Sequence, residues 1–290
     1  MNLAQHLGWG EQSLMRAFDP ILLVVLAAVS GASVLSHAPV VQVRSRPVLI
    51  EDMTWTEVRD AIASGRTTAI IYAGSTEQNG PHLALGKHNF VAHYVAQRIA
   101  EELGDALVYP TLPFAPAGDP VAKTGHMRFP GTVSLSPSIF ESVVREIASS
   151  AIVAGFRQIY IMGDHGGGQD QLRSAAESLD ATWRSKGIRV RYVPDLYYKE
   201  KEQMRAYLAL RHIPYDTHAG TDDTSEIMFI DTIGRWVRAD KLAPSDSTQQ
   251  AATGVDGDPT KATREMGRVF IGYKVSNAVS QIRGFRSEQP

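Results

Sequence analysis

Three short segments of the chain combine histidines, carboxylates and glycines, the residue types from which metal sites are built. The first runs from Glu77 to His88 and holds one carboxylate, two carboxamides and two imidazoles. The second is the Asp-His-Gly-Gly-Gly sequence at residues 164–168, and the third, residues 218–226, has one histidine and three acidic residues. Five of the nine histidines lie in these segments or at position 126. Because the chain has no cysteine, a cluster of this kind is the only route to a transition-metal site.

Each segment also has a purely structural interpretation. A histidine in a glycine-rich loop is more often a hydrogen-bonded surface residue than a ligand, and three glycines before a helix could form an anion-binding turn. Asp222 and Asp223 could be acidic residues that interact with a helix dipole. Taken together the segments favour a metal site, but their spacing leaves phosphatase, amidase and lyase chemistry open.

The size, charge and composition of the chain exclude several classes of protein. A length of 290 residues fits one large α/β domain better than two small ones. The formal net charge of -2, without a basic run, indicates no nucleic-acid partner. The absence of cysteine excludes thiolate catalysis, disulfides and cysteine-bound zinc. The expected partner is a small-molecule substrate.

The elements around these segments alternate between buried strands and amphipathic helices. The β-rich runs are residues 68–72, 106–109, 158–162 and 189–193, and the helical patterns are residues 54–64, 90–103, 136–154 and 171–186. This order predicts an α/β fold, a three-layer α/β/α sandwich with a mostly parallel central sheet. Two of the strands run directly into the first two segments. Ligands bind at the carboxyl ends of parallel strands, so the candidate residues are expected to meet there.

Residues 1–38 have the order of regions found in a secretory signal peptide. An apolar run at residues 21–29 is followed by small residues, so cleavage is expected after Ala32 or Ala38. The apolar stretch is short for a transmembrane helix. We therefore expect export to the periplasm. The alternatives are a misassigned start codon or an uncleaved N-terminal anchor, and a membrane is a partner only in the latter case.

Five segments, in order along the chain, resemble the signature blocks of the creatininase (creatinine amidohydrolase) family. They are residues 74–86 (GSTEQNGPHLALG), 126–135 (HMRFPGTVSL), 163–167 (GDHGG), 218–225 (HAGTDDTS) and 254–265 (GVDGDPTKATRE). Several blocks in the family order are far more specific than one motif.

The resemblance implies a three-layer α/β/α fold, usually assembled as a homohexamer, and hydrolysis of amides at one or two divalent metals. It places residues 48–285 in one metallohydrolase domain. Glu77 and His165 fall on metal-ligand positions of the family, and Asp223 falls on a glutamate ligand that is one methylene longer. His218 falls on the histidine that the family associates with proton transfer.

The chain departs from the family at two metal positions. Asn79 stands where the family has a metal-binding histidine, and His88 stands where it has an aspartate that usually bridges two metals. A carboxylate can bridge two cations, whereas an imidazole nitrogen has one lone pair and cannot. The expected centre is therefore mononuclear, and its ligands are Glu77, His88, His165 and, as a candidate fourth, Asp223. One Zn²⁺ per chain is the expected cofactor, with Mn²⁺ or Fe²⁺ as alternatives.

The implied mechanism is hydrolysis of a carbon–nitrogen bond by metal-activated water. The backbone N–H groups of Gly166 and Gly167 are expected to stabilise the oxyanion, and His218 is expected to protonate the leaving nitrogen. Asp223, if it is not a ligand, is a candidate base or orients His218. Asp164 is a candidate acid that holds a ligand histidine. The expected substrate-binding residues are Asn79, His126, Gly166 and Gly167.

The expected substrate is a small non-peptide amide, either a cyclic amide or a formamide. Two alternatives stay open at this point. One is a lactone hydrolase, which cleaves a carbon–oxygen bond. The other is an inactive member of the family that binds a metal or a ligand, because two of the usual metal ligands are replaced.

Overall fold

A computed structural model describes residues 47–288 of the chain. The expected signal peptide or anchor, residues 1–38, lies outside the described residues, and export stays a prediction. Within residues 47–288, no helix combines the length and the apolar character that a membrane span requires.

The centre of the fold is one parallel sheet of four strands. The strands are β1 (Thr68–Ala73), β2 (Ala106–Val108), β3 (Gln158–Gly163) and β4 (Arg189–Tyr192), in the spatial order β2-β1-β3-β4. Thr68 of β1 lies opposite Ala106 of β2 on one side and Gln158 of β3 on the other. The carboxyl ends of β1 and β3 therefore lie side by side, at the edge where the sequence predicts the site.

Helices connect and cover the strands. They are α1 (Trp55–Ala63), α2 (Lys87–Leu103), α3 (Pro137–Ala154), α4 (Gln169–Trp183), α5 (Tyr198–Ala209), α6 (Thr221–Ile230), α7 (Gln250–Thr253) and α8 (Arg264–Ser287). Short 3₁₀ turns lie at Ile50–Asp52, Gly125–Arg128, Arg184–Lys186, Ala239–Lys241 and Pro259–Lys261.

The side chains of the central strands alternate between two apolar cores. Ile70 and Tyr72 of β1 face the core formed with α2, α6 and α8, whereas Ile71 faces the core formed with α1, α3 and α4. α5 packs on α8 through Met204 and Phe270. Helices thus cover both faces of a parallel sheet, which confirms the predicted three-layer α/β/α sandwich.

The helix boundaries show where local sequence signals act. Thr54 caps α1 as predicted, and it forms a reciprocal capping box with Glu57, whose backbone N–H lies 3.3 Å from Thr54 Oγ1. α2 begins at Lys87, three residues before the expected helix at residues 90–103. His88 therefore lies in the first turn of a helix rather than in a loop, which fixes its backbone beside the sheet edge.

Candidate metal centre

Glu77 lies at the centre of the candidate site, in the loop that follows β1. Its side chain is 1% exposed. One carboxylate oxygen, Oε2, lies 2.7 Å from His165 Nε2, and the other, Oε1, lies 3.2 Å from His88 Nε2. The ligand atoms of these three residues lie within 4.8 Å of one another. The structure thus brings together the three principal ligands expected from the sequence.

Polar groups behind the two imidazoles determine which nitrogen each presents to Glu77. His88 Nδ1 lies 2.7 Å from Oδ2 of Asp164, which directly follows β3. His165 Nδ1 lies 3.1 Å from the carbonyl oxygen of Gly167. With Nδ1 engaged, each imidazole directs Nε2 toward the carboxylate, as ligand histidines do. Two imidazole nitrogens and a carboxylate oxygen form a donor set that suits Zn²⁺.

The two buried carboxylates of this centre are both anionic. Burial would raise the pKa of Glu77, but the imidazoles of His165 and His88 hold it well below its ordinary range. Burial would also raise the pKa of Asp164, but the ammonium of Lys274 and the adjacent His88 lower it on balance. Asp164 is paired with Lys274, whereas Glu77 contacts imidazoles alone, so a cation bound between Glu77 and these imidazoles would compensate its charge.

A second group of candidate ligands shares Glu77 and adds His126 and His218. The side-chain amide of Gln78 lies between these imidazoles, with Nε2 3.0 Å from His126 Nδ1 and 2.9 Å from His218 Nε2. The N–H of Gly80 donates to the amide oxygen of Gln78 at 2.9 Å, which identifies Nε2 as the donor. One carboxamide already contacts both imidazoles of this second group, whereas His88 and His165 each direct Nε2 at Glu77, at 3.2 and 2.7 Å, so the group with His88 and His165 is the better metal centre.

His218, the residue predicted to transfer a proton, lies against Gln78. Its Nε2 lies 2.9 Å from the amide nitrogen of Gln78 and 3.0 Å from the backbone carbonyl oxygen of the same residue. Both the unprotonated and the protonated nitrogen therefore find a partner. Burial and the nearby Lys87 lower the pKa of His218 to about 3, so the imidazole is neutral at neutral pH. A neutral imidazole in this position can accept a proton and pass it on.

Asp223 pairs with Lys87, a residue to which no sequence motif assigned a role. Asp223 Oδ2 lies 2.7 Å from Lys87 Nζ and accepts a hydrogen bond of 2.7 Å from the N–H of Ala219. Burial would raise the pKa of Asp223, but Lys87 and His218 lower it far below its ordinary value. Among the described residues, Asp223 belongs to neither group of convergent ligand atoms. Its role as a fourth ligand stays a prediction, and so does the alternative role of orienting His218.

A cavity of about 470 Å³ opens beside the centre. Three of the predicted substrate-binding residues, His126, Gly166 and Gly167, line it. A Cβ atom on Gly167 would lie 2.0 Å from the carbonyl oxygen of Pro116 and 2.9 Å from His165 Cε1. Only glycine fits this position, because any side chain would displace the ligand imidazole or the opposite cavity wall.

Asn79, the fourth predicted substrate-binding residue, lies elsewhere. Its side chain is fully buried, and its amide donates a hydrogen bond of 2.9 Å to the backbone carbonyl of Glu77. It is absent from the described lining of the cavity. Asn79 supports the loop that carries Glu77, and its side chain is not presented to a substrate.

The inner wall of the cavity carries charged residues to which the sequence analysis gave no role. Lys274 Nζ lies 3.1 Å from Asp164 Oδ1, 3.5 Å from Glu226 Oε1 and 3.7 Å from Glu200 Oε2. Burial raises the pKa of Glu200 to about 7 and that of Glu226 well above its ordinary value, although Lys274 opposes both shifts. No motif surrounds Glu200 or Lys274 in the sequence. By contrast, Lys87 directly precedes the candidate ligand His88 in the sequence, and this adjacency is a signal by which Lys87 could have been identified as a residue of the site.

The fold and the site define a class: an α/β sandwich that gathers two imidazoles and a carboxylate at the carboxyl ends of parallel strands. The family model of creatininase, described as creatinine amidohydrolase, matches residues 51–282. The chain belongs to the creatininase family of hydrolases.

Curated relatives with two different names match the chain. The mycofactocin precursor peptide peptidase of Mycolicibacterium smegmatis is 27% identical over 238 residues, which cover 76% of this chain and 86% of the relative. The protein of the same name from Mycobacterium ulcerans is 29% identical over 254 residues, which cover 82% and 93%. The creatinine amidohydrolase of Pseudomonas putida is 29% identical over 121 residues, which cover 42% of this chain and 46% of that protein.

Solved creatininase structures share the fold. A mutant creatininase of the Zn-Zn type aligns with a TM-score of 0.70 and 22% identity, over 83% of this chain and 98% of that chain. A structure described as creatininase Mn aligns with a TM-score of 0.65 and 22% identity, over 82% and 98%. At this identity the likeness establishes the architecture and leaves the chemistry to the site itself.

Proposed function

We propose that this protein is a metal-dependent amidohydrolase that cleaves a carbon–nitrogen bond of a small amide. The observation that carries the proposal is the convergence of Glu77, His88 and His165 on one point at the sheet edge. Each imidazole is oriented from behind by a hydrogen bond, as in hydrolytic metal sites. An inactive member of the family would bind the ion without turnover, so the assay of activity decides between the two.

The proposed cofactor is one divalent ion per chain, Zn²⁺ in the first place and Mn²⁺ or Fe²⁺ as alternatives. Glu77, His88 and His165 would hold it. A metal ion in such a site makes a nucleophilic hydroxide available at neutral pH and polarises the carbonyl group. The Zn-Zn and Mn creatininases with the same fold are consistent with this choice of metals.

Residues of the chain itself supply the remaining steps. When His165 Nε2 is a ligand, its Nδ1 carries the proton and donates to the carbonyl oxygen of Gly167 at 3.1 Å. The N–H of Gly167 points at His165 Nδ1, 3.1 Å away, so of the two predicted donors the N–H of Gly166 is the one we propose to bind the developing oxyanion. His218, which lines the cavity, is the proposed group that takes a proton from the nucleophile and delivers it to the leaving nitrogen.

The first candidate substrate is a small cyclic amide or a formamide, as the family resemblance implies. A second candidate is an amide bond in a short peptide. The coverage of the relatives favours this second candidate, because those named peptide peptidases match 76% and 82% of the chain, against 42% for the creatinine amidohydrolase. A cavity of about 470 Å³ has room for more than one small ring.

The deciding experiment combines metal analysis with a substrate panel. Purified protein is assayed for bound metal and for hydrolysis of lactams, formamides, short peptides and lactones. His165→Ala should lose metal and amide hydrolysis together, whereas His93→Ala, an exposed histidine of α2, should retain both. Turnover of lactones alone, or metal-independent turnover by His165→Ala, would contradict the proposal.

Assembly and location are part of the proposal. By family resemblance the protein forms a homo-oligomer, a hexamer, and by its N-terminal sequence it is exported to the periplasm. Light scattering of the purified protein tests the assembly.

A further inference from the structure

Lys87 is a buried cation at the edge of the candidate metal centre. Its side chain is 2% exposed, it lines the same cavity as Glu77, and it directly precedes the ligand His88 in the first turn of α2. Its Nζ lies 2.7 Å from Asp223 Oδ2. The side chain is therefore a charged ammonium group inside the site.

Two of the carboxylates at the centre each lie beside an ammonium group. Lys87 neutralises Asp223 at 2.7 Å, and Lys274 neutralises Asp164 at 3.1 Å. Glu77 faces imidazoles instead of an ammonium group. Of these three carboxylates, only Glu77 depends on an added ion for its countercharge. This distribution of charge favours one metal ion, bound beside Glu77 at the imidazoles of His88 and His165.

We propose that the ammonium of Lys87 takes the place of a second divalent ion beside Asp223, so that the centre holds one metal and one fixed ammonium. The inference rests on the proposed function, because it presupposes the metal centre at Glu77. A divalent ion at Asp223 would lie next to the Lys87 ammonium, and like charges repel strongly in a buried site.

The neighbouring residues are consistent with a single metal. His88 presents one nitrogen to Glu77 and uses the other on Asp164, so it has no lone pair left for a second ion. Asn79 directs its amide nitrogen to the Glu77 backbone, 2.9 Å away. A second ion beside Asp223 would therefore meet the Lys87 ammonium at a position where it needs a further ligand atom.

Counting bound zinc tests the inference. The wild-type chain and the variants Lys87→Met and Lys87→Arg are stripped with a chelator, dialysed against excess Zn²⁺ and then against metal-free buffer, and analysed for zinc per chain. The wild-type chain and Lys87→Arg should hold one ion. Lys87→Met leaves Asp223 without a countercharge and should rise from one ion toward two. The double variant Lys87→Met/Asp223→Asn, which removes both charges, should return to one.

The outcomes separate this inference from the proposed function. A folded Lys87→Met that keeps one zinc ion shows that Lys87 is a purely structural partner of Asp223, which overturns the inference and leaves the metal centre intact. A wild-type chain with no zinc overturns the metal centre itself and the inference with it. A wild-type chain with two ions overturns the inference whether or not Lys87→Met folds. Circular dichroism establishes which variants are folded.

Discussion

Lys274 of α8 lies 3.1 Å from Oδ1 of Asp164, and Oδ2 of the same carboxylate lies 2.7 Å from His88 Nδ1. One carboxylate thus joins the C-terminal helix to a candidate metal ligand. The ammonium keeps Asp164 anionic in a buried place, and an anionic Asp164 holds His88 with Nε2 toward Glu77. A residue distant in sequence from every motif therefore contributes to the orientation of the ligand set.

The first prediction concerns Asp164→Asn, which keeps the shape of the side chain and removes its charge. Metal affinity should fall by about 10–100-fold, because groups that orient ligand histidines have this effect. A competition titration with a fluorescent chelator measures the change. Asp170→Asn, at a side chain that is 80% exposed on α4, should leave the affinity unaltered. Equal affinities for the wild type and Asp164→Asn would show that His88 is oriented without the carboxylate.

The second prediction concerns His218→Ala. This variant should keep its metal and lose roughly 10²–10⁴ in turnover number, the usual contribution of a positioned acid or base. Activity should survive better on substrates whose leaving group needs no proton, such as an activated ester or anilide. Metal content and turnover are measured on the same sample. Loss of metal from His218→Ala would mean that His218 is a ligand and that the second group of candidate ligands is occupied.

The third prediction concerns Gly167→Ala. The added Cβ would lie 2.0 Å from the carbonyl oxygen of Pro116, so the loop must shift and His165 with it. Metal affinity should fall at least about 10-fold, in the range seen when ligands lose their orientation. The control is Gly272→Ala in α8, where no atom lies within 4 Å of the added Cβ. That control should retain the metal and gain about 0.5–1 kcal/mol of stability. Unchanged affinity in Gly167→Ala would contradict the tight fit at this loop.

The fourth prediction concerns the pH dependence of stability. Burial raises the pKa of Glu200 from 4.5 to about 7, although Lys274 opposes the shift. The folded state thus favours protonated Glu200, so this contribution is complete below pH 4.5 and is lost as the pH rises through about 7. Glu200→Gln removes the dependence. The melting temperature of Glu200→Gln minus that of the wild type should therefore be a few degrees larger at about pH 8 than at about pH 5.

Differential scanning calorimetry of the metal-loaded proteins measures this difference. The exposed Glu177 of α4 provides the control, since Glu177→Gln should melt with the wild type at both pH values. A difference for Glu200→Gln that stays constant or falls with pH would show that Glu200 is ionised throughout the range.

The fifth prediction concerns residues 1–38. The mature chain should begin after Ala32 or Ala38, because an apolar run precedes small residues there. N-terminal sequencing of protein from separated cell fractions measures the start. A cytoplasmic product that retains residues 1–19 would count against export, and a membrane-bound product with an intact N-terminus would favour the anchor.

The sequence predicts the parts of the fold in which the pattern is local. The strands at β1 and β3 are short apolar runs followed by glycine, and both were placed within a residue of their ends. Their loops carry Glu77 and His165, so two ligands could be located from strand ends alone. Thr54 could be identified as a cap because its partner lies three residues away.

The remainder depends on contacts between distant residues. Glu200 and Lys274 lie on helices that no motif marks. They meet each other only when α5 and α8 pack together, and Lys274 in turn contacts Asp164. The pairing of Lys87 with Asp223 joins residues from α2 and α6. Val255 lies among glycines and aspartates in the sequence but is 1% exposed, because the tertiary fold brings it close to Gly80. Spacing along the chain carries no information about such pairs.

The position of α8 has a consequence for how the protein folds during its synthesis. It is the last helix of the described chain to leave the ribosome. It carries Lys274, and its apolar side chains help to cover one face of the sheet. Until it docks, Asp164 lacks its ammonium, and Tyr160 and Met162 lack part of their cover. A chain stalled before α8 is synthesised therefore has an incomplete candidate metal site and an exposed apolar surface. Chaperones and proteases recognise such exposed apolar surfaces. The docking of α8 and the completion of the candidate metal centre are in this way the same event.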